Sequence, residues 1–217
     1  EAEPTPADDS PLPRLAHVSV AGGPRGEAAL SPGAGEPPYW HSDRSYEAVP
    51  PAVTLLYALQ GADGGSLEFV NMYSVFSALA PQRRLLVEKL RGVHERGGAE
   101  HDPAAAGEPV ALAHATRGQV AEHPLVRVHP ETGKKALYLA KDVVTRAAGM
   151  REEDSRKLIE QLEAFATQPR FIYAHRWRKG DVLIWDNRCT LHRMASLEGA
   201  HDRTLYRIRV RGEVPVP

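Results

Sequence analysis

Short apolar runs that stop at Gly, Pro or Asp limit what this chain can fold into more than any other feature. "VTLLYAL", "LEFVNM", "RFIYAHRW", "DVLIWD" and "TLYRIRVRG" have the length and the β-branched and aromatic content of strands. "LAHVSV" adds a short strand near the N-terminus, and "PLVRVHPETGKKALYL" reads as a hairpin, two apolar runs around the turn "PETGKK". Two stretches depart from this texture. "VFSALAPQRRLLVEKLRGVHE" has helical spacing, with Leu85, Leu86, Leu90 and Val93 on one face. "MREEDSRKLIEQLEAFATQ" reads as an amphipathic helix with acidic residues in its first turn, where the helix dipole favours them. Many short strands decorated by helices predict a mainly β sandwich or barrel rather than a doubly wound parallel sheet.

A chain of 217 residues, 42% of them hydrophobic, can bury one substantial core. Residues 1–38 are rich in Pro, Gly and Ala apart from the one short strand, so 39–217 is the expected folded domain. Inside it, a stretch near 94–122 mixes Gly, Ala and His without a period, the profile of a surface loop that could serve as a lid. His94, His101, His114 and His123 are accordingly read as solvent or lid residues. His129, His175, Trp40, Trp177 and Trp185 are read as packing residues with ordinary partners.

Net charge is −1 with Lys and Arg dispersed, which offers no footprint for nucleic acid or an anionic membrane and leaves small molecules as the expected partners. The single cysteine, Cys189, excludes an intrachain disulfide framework and fits a reducing, cytoplasmic setting. No apolar run approaches the roughly 20 residues of a membrane span, and "EAEPTPADDSPLPR" lacks the features of a signal peptide. The chain begins without Met, as a processed or truncated product would. Whether it forms a homo-oligomer is left open, because exposed faces cannot be assigned from one sequence.

The chemistry concentrates at two places. In "YWHSDRSYEAVP", His41 and Asp43 are two positions apart, so in extended backbone both project from one face while Ser42 points away. One imidazole and one carboxylate are two thirds of the set with which non-haem Fe(II) oxygenases hold their metal, and a second His is required. Taken alone, His-x-Asp is more often a pair of ordinary surface or loop residues than a pair of ligands. Far along the chain, "WRKGDVLIWDNRCTLHRM" leads to His192, followed by Arg203 and Arg207 in "DRTLYRIRV". An arginine fork grips a carboxylate in two-point fashion and stays charged when partly desolvated. Alternation also allows Arg203, Arg207, Arg209 and Arg211 to be the solvent face of an edge strand, and periodicity does not decide between the two.

Over residues 39–212 the chain resembles the Fe(II)/2-oxoglutarate-dependent dioxygenases of the taurine and dichlorophenoxyacetate dioxygenase (TauD/TfdA) family. The motifs are "WHSDRSY" with "VPPAVTLLYAL", "GGSLEFVNMYSVFSAL", "HPLVRVHPETGKKALYL", "FATQPRFIYAHRWRKGDVLIWDNRCTLHRM" and "RTLYRIRVRGE", and "GGSLEF" with "HPETGKKALYL" is more similar to the aryloxyalkanoate branch. The resemblance implies a double-stranded β-helix, a jelly roll of cupin type. It implies that His41, Asp43 and His192 bind Fe(II), that Arg203 pairs with the distal carboxylate of the co-substrate 2-oxoglutarate, and that Arg207 holds an acidic group of a small organic substrate. Dioxygen is the oxidant, succinate and carbon dioxide are released, and hydroxylation beside an ether or sulfonate carbon can end in bond cleavage. Tyr39 and Tyr46 flank the ligand stretch and are expected to line the substrate pocket.

Three departures from the family stand out. Leu67 occupies the place of a 2-oxoglutarate-binding Thr, a lost contact of about 1 kcal/mol, for which Ser66 is the expected substitute after a one-residue slip. Pro37 stands where taurine dioxygenases carry a substrate-binding Asn, which disfavours taurine, and only 40 residues precede the first ligand. These departures keep a second reading open, a cupin-type protein that binds metal or a small ligand without oxidising it. A Zn²⁺ hydrolase at the same ligands would leave the arginine spacing without a role. Cys189, three residues before His192, is expected to point away from the ligands.

Overall fold

The computed structural model describes residues 15–22, 28–30, 39–60, 65–95, 118–196 and 203–217, with 15–22, 28–30, 60, 196 and 203 as backbone only. Thirteen strands and three α-helices are formed among them. The strands are β1 (Leu15–Gly22), β2 (Ala28–Leu30), β3 (Val53–Gln60), β4 (Ser66–Asn71), β5 (Arg91–Glu95), β6 (Val120–Pro124) and β7 (Val126–Val128). They continue with β8 (Lys135–Leu137), β9 (Val144–Ala147), β10 (Ile172–Arg176), β11 (Val182–Asp186), β12 (Thr190–Ser196) and β13 (Arg203–Val210). The helices are α1 (Met72–Ala78), α2 (Pro81–Val87) and α3 (Glu152–Ala166).

Two antiparallel sheets make a jelly roll. One has five strands in the order β11-β3-β13-β1-β2, the other three in the order β10-β4-β12. Successive strands change sheet: β3 and β4 lie in opposite sheets, and so do β10, β11, β12 and β13 at each step. The predicted strands are therefore present, but β3 and β4, and β10 to β13 in turn, face each other across the core, whereas β1–β2, β5–β6 and β7–β8 pair within a sheet. Alternation explains the packing. Leu56 and Ala58 of β3, Leu205 of β13, Trp185 of β11 and Leu67 of β4 meet Trp177 in a buried cluster between the sheets.

A larger cluster lies on the other side of the three-stranded sheet, where Val70 and Leu191 pack with α1, the β7–β8 hairpin and α3. Leu158, Ile159, Leu162 and Ala166 of α3 are buried, the stripe expected of an amphipathic helix, and Glu152, Glu153 and Asp154 occupy its first turn. The β7–β8 hairpin forms as predicted, with Val126 opposite Leu137 and Gly133 at positive φ in its turn.

The single helix expected over 75–95 is not formed. Pro81 has no N–H for a continuing helix and instead starts a second one at its first position. Leu85 and Leu86 are exposed while Val87 is buried, and the chain then enters β5. The strand expected in 1–38 is β1, which pairs along β13 from Leu15 opposite Ile208 to Val20 opposite Arg203. Most of the expected loop near 94–122, namely 96–117, lies outside the described residues, and with it His101 and His114.

Candidate metal centre

His41 and His192 are brought together by backbone pairing. Each donates its N–H to the other's carbonyl, at 3.0 and 2.9 Å, as a single antiparallel bridge between β12 and the segment before β3. Residues paired in this way carry their side chains on one face, and the imidazole centroids are 4.1 Å apart. Immediately afterwards the chain turns, with Arg44 at φ 47°. That left-handed conformation is rare for a residue with a Cβ and costs about 1–3 kcal/mol. Asp43, just before Arg44, faces the imidazoles, with Oδ1 lying 3.7 Å from His41 Nε2 and 3.8 Å from His192 Nε2. All three side chains are buried, and their ligand atoms lie within 4.8 Å of one another. Two imidazole nitrogens and a carboxylate oxygen in this compass form a donor set that suits Fe(II) and leaves room for other ligands.

The surroundings orient these groups. His41 Nδ1 is 3.1 Å from the Tyr39 carbonyl, which can only accept, so the proton sits on Nδ1 and the Nε2 lone pair faces Asp43 and His192. His192 is wedged between Trp185 and Phe69, whose ring centroids are 4.7 and 6.2 Å away. Asp43 Oδ2 accepts from the Thr54 hydroxyl at 2.5 Å and from Arg209 Nε at 3.0 Å. Burial opposes ionisation of Asp43, but the charge of Arg209, the neighbouring His41 and the fields of His192 and Arg207 hold the carboxyl well below its ordinary range.

Arginines on β13 settle the question left by alternation. The strand lies between β3 and β1 rather than at an edge, and its face carrying Leu205, Arg207 and Arg209 points inward. Arg207 is buried near Asp43, and Arg209 reaches Asp43 itself, whereas Arg211, past the strand, is exposed. Arg203 begins β13 opposite Val20, and its side chain is outside the described residues. Arg209, Thr54 and Asn187 had no assigned role from sequence. Thr54 offered a signal as the one small hydroxyl residue in the apolar run "VTLLYAL", and Asn187 stood unassigned in "WDNR".

Leu67 and Phe69 share the inward face of β4, so the hydroxyl of Ser66 lies on the opposite face, with Glu68, which pairs with Arg193. Leu67 is completely buried among the inter-sheet residues. Tyr39 flanks the centre, its ring centroid 5.6 Å from that of His41, and Tyr46 is half-buried in the turn after Asp43. Cys189 packs against the other core cluster, away from the ligands. Ser42 does point away, but into protein, where its hydroxyl donates to the Asn187 carbonyl at 2.8 Å.

His94 and His123 are not solvent or lid residues. They occupy adjacent paired strands, 1% and 2% exposed, beneath the ligand turn. His123 Nε2 donates to the Glu47 carbonyl at 2.9 Å, and His94 stacks on Tyr138 with both ring nitrogens lacking a hydrogen-bond partner. Burial, followed by the fields of His123 and Arg127, pushes the His94 pKa well below the ordinary histidine value of about 6.5. An unfolded His takes its proton near that value while the folded one refuses it. The stability His94 contributes is therefore complete above about pH 6.5 and falls as pH drops, by about 1.4 kcal/mol per unit for one proton. Urea midpoints are expected to fall more between pH 7 and 5 in wild type than in His94→Leu. Parallel falls would show that His94 does not set this dependence.

Two buried histidines and one aspartate brought together are the donor set that non-haem Fe(II) oxygenases use. The chain belongs to the TauD/TfdA family, described as taurine catabolism dioxygenase TauD, TfdA family, which matches residues 9–209. It is 31% identical over 179 residues to a (S)-phenoxypropionate/alpha-ketoglutarate-dioxygenase of Sphingobium herbicidovorans, covering 80% of this chain and 62% of that protein. It is 34% identical over 186 residues to an alpha-ketoglutarate-dependent sulfate ester dioxygenase of Pseudomonas putida, covering 82% and 60%. The chain thus spans about three fifths of the length of these curated relatives. A crystal structure of AAD-2 in complex with Mn(II) and N-oxalylglycine superposes with a TM-score of 0.71 at 30% identity, covering 83% of this chain and 70% of that one.

Proposed function

We propose that this chain carries out an Fe(II)- and 2-oxoglutarate-dependent oxidation of a small acidic organic molecule, with release of succinate and carbon dioxide. The convergence of His41, Asp43 and His192 in one buried cluster next to an arginine-bearing strand carries the reading. Relatives that act on phenoxypropionate and sulfate esters with alpha-ketoglutarate support it, as does a neighbour holding Mn(II) and N-oxalylglycine, a 2-oxoglutarate analogue. His41, Asp43 and His192 would hold the metal. When bound, Fe(II) supplies the centre at which 2-oxoglutarate and dioxygen react.

The chain's own residues supply position and charge. Arg203 pairs with the distal carboxylate of 2-oxoglutarate, and Arg207, held in a dry setting near the ligands, attracts the anionic end of the substrate. Tyr39 and Tyr46 form the rim on which the rest of the substrate rests, and Trp185 and Phe69 keep bulk water from His192. Leu67 supplies no hydrogen bond to the co-substrate, so Arg203 bears more of its binding. An arginine accepts carboxylates, sulfonates and sulfates alike, so all three belong in the substrate screen. A hydroxyl placed beside an ether or ester oxygen would lead to cleavage of that bond. A cytoplasmic location fits the single cysteine, and no helix among the described residues is long and apolar enough to cross a membrane.

The buried Leu67 favours one second reading, a metal-binding jelly roll without turnover. Succinate release separates the two. Incubation with a panel of aryloxyalkanoates, alkyl sulfates and sulfonates is expected to yield succinate only when Fe(II), 2-oxoglutarate and dioxygen are all present. No succinate with any acid would exclude the oxygenase reading for this chain. Arg203→Ala is expected to raise the KM for 2-oxoglutarate at least about 10-fold, about 1.4 kcal/mol, with Fe(II) affinity unchanged. An unchanged KM would remove Arg203 from the co-substrate site.

A further inference from the structure

We propose that Thr54 and Asn187 are positioning residues that hold Asp43 with Oδ2 turned away from the imidazoles, so that only Oδ1 is offered to a metal. The proposal rests on the reading of His41, Asp43 and His192 as metal ligands. Its basis is the direction of each hydrogen bond. Asn187 is buried, and its amide cannot be reversed. The indole N–H of Trp185, which can only donate, lies 3.0 Å from Asn187 Oδ1, and the Asp43 backbone N–H approaches the same oxygen at 3.4 Å. Asn187 Nδ2 must therefore be the atom facing Thr54, donating to its Oγ1 at 2.8 Å. With that acceptance made, the one hydroxyl proton of Thr54 is directed to Asp43 Oδ2.

The chain of donors thus runs one way, from the Asn187 amide through the Thr54 hydroxyl to the carboxylate. Arg209 donates chiefly to Oδ2, from Nε at 3.0 Å, with its Nη2 at the longer 3.5 Å from Oδ1, while Oδ1 is the oxygen near both imidazoles. Thr54 is fully buried, and Asn187 is anchored by its own backbone, its N–H donating to the Ala52 carbonyl at 2.8 Å and its carbonyl accepting from Ser42. A carboxylate fixed in this way spends one coordination position rather than two, which leaves more of the metal's sites for a two-point co-substrate and dioxygen. It also loses less rotational freedom when it binds.

Mn(II) titration followed by the EPR signal of the free ion tests this without recourse to turnover. Thr54→Val keeps the shape and removes the proton, and it is expected to weaken Mn(II) binding about 10- to 100-fold, the usual cost of losing an outer partner of a ligand. Thr54→Ser keeps the proton and is expected to bind within about 3-fold of wild type. Thr54→Ala carries the same expectation as the valine variant should that one fail to fold. Wild-type affinity in the valine or alanine variant would overturn the proposal, and so would a serine variant as weak as valine, which would assign the effect to packing. If wild-type protein showed no Mn(II) binding that His192→Ala abolishes, the metal-centre reading itself would fall.

Discussion

His192→Ala is expected to abolish stoichiometric Fe(II) binding and to lower any succinate-forming activity by more than about 1,000-fold, about 4 kcal/mol of transition-state stabilisation. The side chain is completely buried, so the truncation removes a ligand and opens a gap between Trp185, Phe69 and His41. The fold should survive. The backbone bridge between residues 41 and 192 uses only main-chain atoms, and β12 stays paired along β4 from Thr190 to Ser196. Circular dichroism of the metal-free protein should therefore change little, with the thermal midpoint lowered only by the gap left in the core, while metal titration changes completely. A variant that still bound Fe(II) as tightly as wild type would remove His192 from the ligand set.

Gly212→Ala is expected to act in the opposite way, by destabilising the scaffold. After β13 the chain passes directly over residues 50–52, which connect the ligand turn to β3. A Cβ at 212 would collide with the Pro50 carbonyl oxygen and lie 2.9 Å from the Ala52 nitrogen. Both are backbone atoms and cannot rotate aside, so the segments must separate. Ala52 is held on both sides, its N–H donating to the Val210 carbonyl and its carbonyl accepting from Asn187. The separation would therefore disturb the ligand turn as well. A loss of about 3 kcal/mol is expected, the upper part of the usual overpacking range, measured as a lower urea midpoint with an unchanged slope. A midpoint within error of wild type would show that the close approach is not required.

The three candidate ligands came from the family resemblance carried by "WHSDRSY" and "CTLHRM", since His-x-Asp spacing alone is common by chance. Their convergence was not legible from spacing, because alternation describes one strand and says nothing about which strands pair. The His41–His192 bridge, which joins residues far apart in sequence, is what makes a site of the two motifs. Arg209 shows the same limit. It shares a face with Arg207, yet whether that face meets water or the core depends on β13 having a neighbour on each side. His94 and His123 were obscured by composition: the Gly, Ala and His between them suggest a loop, while long-range pairing of β5 with β6 and β9 buries both. Over 75–95, helical spacing was present, but Pro81 interrupts it and the sheet captures 91–95 as a strand. The α3 helix and the β7–β8 hairpin were legible in full, since their signals are local: an acidic first turn, a continuous apolar stripe and a glycine in the turn.

The most direct test of the metal centre is an anaerobic titration of the protein with Fe(II) and 2-oxoglutarate, followed by visible absorption. A weak metal-to-ligand charge-transfer band is expected when both are present, rising to one equivalent of each and absent in His192→Ala. Fe(II) and 2-oxoglutarate together producing no such band in the wild-type protein would contradict the account.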